Sequence, residues 1–243
     1  MFGLLQPAPA RLPAIITVAG RQLPLVIERR AAARGVRLRA DPVQGVVRIG
    51  LPARGGTAAA AQLLADHQGW LAAQVARWPA PQPFVAGAAI PFDGGQLFLD
   101  WHPGHPRTPR REGDRLLIGG PVDLLPGRTL RWLQGAALAE LTPATHHHAA
   151  LVARPVTQVR VADPRARWGS CTSTAGRIAY SWRLILAPAF VRNNVVAHEV
   201  AHLVHANHGT EFHALLRQLD ANGRAARAWL KVHGAGLHWV GRA

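Results

Sequence analysis

A chain of 243 residues with 49% hydrophobic and 17% charged residues has ample material for a core, which excludes a wholly disordered or collagen-like protein. Its net charge is +15, and Lys231 is the only lysine among 28 basic residues. Such a balance attracts nucleic acid, anionic membrane or acidic substrate, but arginine beside abundant alanine also fits a GC-rich coding sequence. Charge alone names no function. The single cysteine, Cys171, excludes an internal disulfide and fits a reducing compartment. No apolar run approaches the ~18 residues of a membrane span. Met1–Gly20 lacks the basic start and cleavage site of a secretory signal, so a cytoplasmic protein without a membrane partner is expected.

Short alternating runs at 15–18, 23–27, 36–39 and 46–49, punctuated by Gly20, Gly35, Gly45 and Gly50, predict an antiparallel meander. Thr57 to Trp78 then predicts one helix, with Thr57 as its N-cap after Gly55-Gly56. Residues 79–83 form a turn-rich link, and strand pieces resume at 97–101 and 116–118. Leu130 to Leu141 carries a helical apolar stripe that continues, past Pro143 and the run His146-His147-His148, toward Ala153. Val156–Val161 and Arg177–Arg183 alternate like strands around a Gly/Ser/Thr-rich turn. Helices are expected from Pro188 to His205, at 211–219 and at 224–232. The fold class is therefore α+β, with a strand-rich part over 1–120 and a helix-dominated part over 121–243.

The informative segment is His198-Glu199-Val200-Ala201-His202. Positions i and i+4 of a helix differ by ~6 Å of rise and ~40° of rotation, so two imidazoles converge from one face onto one metal. Glu199, one residue beyond the first histidine, reaches a water on that metal without competing for the metal itself. A zinc site needs a third protein ligand and leaves the fourth position to water. His205 lies ~10.5 Å along the helix from His198, too far to join the cluster. His208 is favoured, because Asn207 and Gly209 tolerate the left-handed conformation that ends helices and turns the chain back. His213 is a weaker rival.

Three motifs occur in order: Arg167-Trp168-Gly169-Ser170-Cys171, then Ser181-Trp182-Arg183-Leu184-Ile185-Leu186-Ala187-Pro188, then the histidine motif followed by Asn207-His208. Together they resemble the YgjP-type branch of the SprT-like (WLM-type) zinc metallopeptidases. The resemblance implies a zincin-like metallopeptidase region, with a short antiparallel sheet and an active-site H-E-x-x-H helix. It also implies one Zn2+ held by His198, His202 and His208, with Glu199 as general base. Ser181 departs from the asparagine expected before Trp-Arg, which leaves that side chain's role open. The resemblance supplies no physiological substrate.

Other residues have readings of their own. Trp168 and Trp182 are expected in the core, Cys171 as a buried inert thiol, and the three-histidine run as a solvated helix end. Ser170 is a hydrogen-bond donor to the site, and Arg167 and Arg183 are candidates to stabilise an oxyanion. Strand Arg177–Arg183, taken as an edge, would let an extended peptide add to the sheet. Seven arginines against one acid, Asp163, between 150 and 195 predict a positive field. The favoured reading is a peptidase acting on protein or peptide, acidic segments included. A metal-dependent phosphohydrolase of nucleoside triphosphates is the alternative, since the same water attacks phosphorus. A DNA-associated protease module is a third reading, weakened by the absence of paired zinc-ribbon cysteines.

Overall fold

The computed structural model describes residues 12–242; residues 1–11, part of the stretch expected to lack a secretory signal, lie outside it. The described residues form six α-helices and three small sheets, an α+β protein. They fall into two compact units, one ending at Pro79 and the other beginning at Ala80. This division precedes the one read at 120 from the sequence. The reason lies in packing: Leu97, Leu99, Leu116 and Ile118 share a core with the helix that follows them.

In the first unit, β1 (Ile15–Val18), β2 (Arg21–Arg30), β3 (Arg37–Asp41) and β4 (Val46–Pro52) match the expected strands. Period-two alternation buries Val47, Ile49 and Leu51 of β4 fully, while Val46, Arg48 and Gly50 between them stay half-buried. The expected meander is not formed. The order is β1-β2-β4-β3, with β4 parallel to β2 and Ile27 opposite Ile49. Turn chemistry explains the exchange. The Asp41 carboxylate accepts the N–H groups of Val43 and Gln44, and Gly45 takes φ 70°, which closes a tight β3–β4 hairpin. That hairpin folds back with β4 innermost.

The single helix expected over Thr57–Trp78 is two, α1 (Thr57–Asp66) and α2 (Gln68–Val75). Between them His67 stands at φ −110°, with its Nδ1 3.0 Å from the Leu63 carbonyl. Thr57 does not cap α1. Gly56 precedes the helix in the left-handed region at φ 80°, and the Thr57 hydroxyl instead accepts from Arg29.

In the second unit, β5 (Ala89–Phe92), β6 (Gly95–Trp101), β7 (Arg110–Glu112) and β8 (Arg115–Ile118) form a sheet of order β5-β6-β8-β7. Of the stripe Leu130, Leu133, Ala137, Leu138 and Leu141, helix α3 (Leu125–Leu151) buries Leu133, Ala137 and Leu141, leaves Leu130 half-buried and exposes Leu138. It starts before Leu130 because Pro126 suits a first turn, where no N–H is needed. Next come β9 (Gln158–Ala162), β10 (Gly169–Thr172) and β11 (Arg177–Ser181), in the order β10-β11-β9.

This last sheet corrects two expectations. It is mixed rather than antiparallel, because β9 runs parallel to β11 while β10 runs against it. Strand β11 is central, paired on both sides, so Arg177–Arg183 offers no free edge. The strand also stops at Ser181, whose hydroxyl accepts the Arg183 N–H at 3.3 Å and starts a 3-10 turn, Trp182–Leu186. The open edges belong to β9 and β10.

Helices α4 (Ala189–Ala201), α5 (Thr210–Leu219) and α6 (Gly223–Leu237) complete the unit. Ile178, Tyr180, Trp182, Val191, Val195, Val196 and Val200 pack into one core with α3. There the Tyr180 hydroxyl lies 3.0 Å from Thr145 Oγ1. Residues 239–241 return to the start of the unit: the Gln82 N–H donates to the Trp239 carbonyl at 3.0 Å, and the Gly241 N–H to the Gln82 carbonyl at 2.8 Å. Phe84 lies against Gly241, where an added Cβ would come within 2.7 Å of the ring. Among the described residues, no helix is long and apolar enough to cross a membrane.

Candidate metal centre

Helix α4 buries Val191, Val195, Val196 and Val200 in the core, and that face fixes which way the rest of the helix points. His198 and His202 emerge half-buried from the same side, their ring centroids 5.0 Å apart. The helix ends at Ala201, four residues before the expected His205, so His202 is its C-cap. A short connection then returns the chain to α5. Neither Asn207 nor Gly209 adopts the left-handed conformation expected of them; Gly209 is extended at φ −72°. The turn is instead closed by the Asn207 side chain, which accepts the Gly209 N–H at 3.2 Å.

That turn carries His208 to 3.2 Å from His198, Nε2 to Nε2. One ligand atom from each of His198, His202 and His208 lies within 4.8 Å of the other two, the convergence a single metal ion requires. The second nitrogen of His202 is also engaged: Nδ1 lies 3.0 Å from the His205 carbonyl, so its N–H donates there and leaves Nε2 free as a ligand. Burial, aided by the neighbouring imidazoles, pushes the His198 pKa down to about 4. Burial likewise lowers His202, against the pull of its bond to His205. Neutral imidazoles with a free nitrogen are the donor set that zinc takes, so the residues present fit such an ion.

Glu199 faces the other way from a solvated helix residue: it is buried, at 5% exposure. Burial pushes its carboxyl up to about 7, with the charge of Arg167 pulling it back. What covers it is Gly169 of β10. A Cβ at that position would lie 2.6 Å from both Cγ and Oε1 of Glu199, so only glycine lets the strand close over the carboxylate. Read from the sequence alone, Gly169 has no part in the site. The second omission is Phe212, fully buried on α5, with its ring centroid 5.0, 4.6 and 4.7 Å from those of His198, His202 and His208. It floors all three imidazoles. The only sequence signal is its position four residues after His208, on the buried face it shares with Leu216.

The remaining candidates divide. His205 lies outside the cluster, its Nδ1 3.7 Å from Glu211, and His213 is exposed beside His208 at a ring distance of 6.4 Å. Ser170 follows Gly169 on β10, and alternation turns its side chain to the face away from Glu199. Cys171 shares the Gly169 face; burial and then Glu199 push its thiol up to about 11, in keeping with an inert group. Arg167 is exposed and within electrostatic reach of Glu199.

Arg183 is not available to a substrate. Its guanidinium is buried against Trp182, bonded to Asp163 at 2.7 Å and to the carbonyls of Leu237 and Val240 at 2.6 and 3.0 Å. Arg192 is likewise buried, on Asp93 at 2.9 Å, and Arg165 lies 3.7 Å from Asp163. The field expected from seven arginines is thus partly spent on structure. Trp182 is in the core, and Trp168 packs against Gly234 and His238. The three-histidine run is not wholly solvated, because His148 is buried with Nε2 3.1 Å from Asn193 Oδ1.

The family described as YgjP-like, metallopeptidase domain, matches residues 34–233. No curated protein matches the chain.

Proposed function

The chain belongs to the YgjP-like metallopeptidase family, and from that premise we propose that it is a zinc-dependent peptidase, with His198, His202 and His208 as ligands and Glu199 as general base. The observation that carries the reading is the convergence of three imidazoles, two from α4 and its cap and one from the following turn, beside the buried carboxylate of Glu199. When bound, zinc supplies Lewis acidity, bringing the pKa of a coordinated water toward ~7 and polarising a substrate carbonyl. Glu199, with a carboxyl raised to about 7 by burial, takes a proton from water and passes it to the leaving amine. Gly169 holds that carboxylate in place, and the Phe212 floor with the His205 carbonyl keeps the imidazoles oriented.

An extended peptide binds by pairing with the free edge of β10, the strand that covers Glu199. Arg167, exposed near the carboxylate, is the group on hand to stabilise an oxyanion. The test is Glu199→Gln, assayed on unfolded casein together with metal analysis. Full zinc content with turnover reduced by ~10²-fold or more is expected. Unchanged turnover would remove Glu199 from the mechanism. Phosphate release from nucleoside triphosphates without cleavage of any protein would favour the phosphohydrolase instead.

A further inference from the structure

Helix α6 buries Ala226, Gly234 and Leu237, whereas Arg224, Arg227, Ala228 and Lys231 are exposed at helical spacing i, i+3, i+4 and i+7. The three cations succeed one another along the axis at ~4.5 and ~6 Å. The helix itself contains no acid. Acids nearby are engaged elsewhere: Asp163 holds Arg183, Glu211 lies by His205, and Asp220 accepts from the N–H of Asn222 at 2.9 Å. Among the described residues, none of the three cations makes an ion pair.

This rail is joined to the histidine cluster at one end and to β10 at the other. A Cβ on Gly223 would lie 3.4 Å from Asn194 Nδ2 and 3.5 Å from Arg227 Nη1, and Asn194 stands one turn before His198 on α4. Toward the other end, a Cβ on Gly234 would lie 3.1 Å from the ring of Trp168, which leads into β10.

We infer that α6 selects the substrate: Arg224, Arg227 and Lys231 hold carboxylates of an acidic polypeptide segment beside the bond to be cleaved. The inference rests on the peptidase reading above. A strand paired with β10 presents same-face side chains every ~6.8 Å, a spacing that alternate Glu or Asp residues share with the 227-to-231 step. Guanidinium groups favour such carboxylates through paired hydrogen bonds. The exposed rail leaves the contacts open to screening, so selectivity weakens with salt.

The experiment uses the zinc-loaded full chain and two fluorogenic peptide libraries of equal length, one with Glu and one with Gln flanking the varied bonds. Acid-flanked peptides are expected to show kcat/KM about 10-fold or more above the neutral set, an advantage of the size that steering supplies. In Arg224→Glu/Lys231→Glu the ratio should fall to about one or below, with zinc content retained. Raising salt to about 0.5 M should compress the wild-type ratio in the same direction. The milder pair Arg224→Gln/Lys231→Gln covers the case in which charge reversal unfolds α6. Equal cleavage of both sets by wild type, or a preference that survives these changes, overturns the inference while leaving the peptidase intact. Failure to cleave any peptide removes both readings at once.

Discussion

His198 and His202 ride on a buried helix, whereas His208 hangs from an exposed turn, yet one ligand atom from each of the three rings lies within 4.8 Å of the other two. The first pair needs little beyond the covalent chain. Once the valine face of α4 docks in the core, a four-residue separation aims both rings the same way. His208 needs more. The helix must stop at Ala201, Asn207 must catch the Gly209 N–H, and Phe212 must dock beneath the cluster. One arm of the centre is thus held by core packing and the other by a few local contacts.

Removing a ligand is the harshest way to break that comparison. His198→Ala and His208→Ala should both abolish stoichiometric zinc, because each leaves two protein ligands. They should differ in the metal-free protein. His208 is exposed, so its loss should leave thermal stability within about 0.5 kcal/mol, while the half-buried His198 should cost more. Equal losses in denaturant melts of the apo proteins would erase the distinction between the arms.

Gly169→Ala comes next and touches neither arm. A methyl group there displaces the Glu199 carboxylate, and a misplacement of about 1 Å costs on the order of 10²-fold in rate. Zinc affinity should be kept, so parallel turnover and metal titrations separate the proposed base from the proposed ligands. Phe212→Ala should act on all three imidazoles together. We expect about 3–5 kcal/mol of lost stability, and zinc binding weaker by about 10–100-fold, since the shell around a site orients its ligands. Phe212→Leu should recover most of the stability, and chelator competition would show whether it recovers affinity too.

Asn207→Ala is the mildest change and the most selective. It removes one exposed turn hydrogen bond, worth about 1 kcal/mol net, so zinc should bind about fivefold more weakly. Cobalt substitution would reveal a change at one ligand only. An unaltered cobalt spectrum and affinity would mean that the turn holds His208 without Asn207.

The same contrast governs what could be read from the sequence. The helix pair, its glutamate and the apolar stripe of α3 follow from periodicity, which is a property of short windows. His208 was reached from the presence of turn-tolerant residues beside it, although the turn forms by a side-chain bond and not by left-handed backbone. Gly169 acts through a contact made across the fold, so no local pattern announces it, and Phe212 shows in the sequence only as part of the buried face it shares with Leu216. Strand order failed for a related reason. Alternation fixes which face of β11 is buried but not how many neighbours it has, and an expected edge proved to be the centre of its sheet. Arg183 is part of the second motif, yet its partners Asp163, Leu237 and Val240 come from two other places in the chain.

The stitching of Gln82 and Phe84 to Trp239 and Gly241 sets a timetable for the protein's birth on the ribosome. Residues 82 and 84 emerge early, and the strands and helices that follow can begin to pack as they appear. The pairing that closes the unit waits until Trp239 and Gly241 have left the exit tunnel. Until then Arg183 lacks the Leu237 and Val240 carbonyls that satisfy its guanidinium, and the 3-10 turn leading into the histidine helix is unbraced. The histidines and Glu199 are therefore translated well before the surroundings that orient them are whole, and a nascent chain stalled before residue 237 should remain a catalytically silent intermediate.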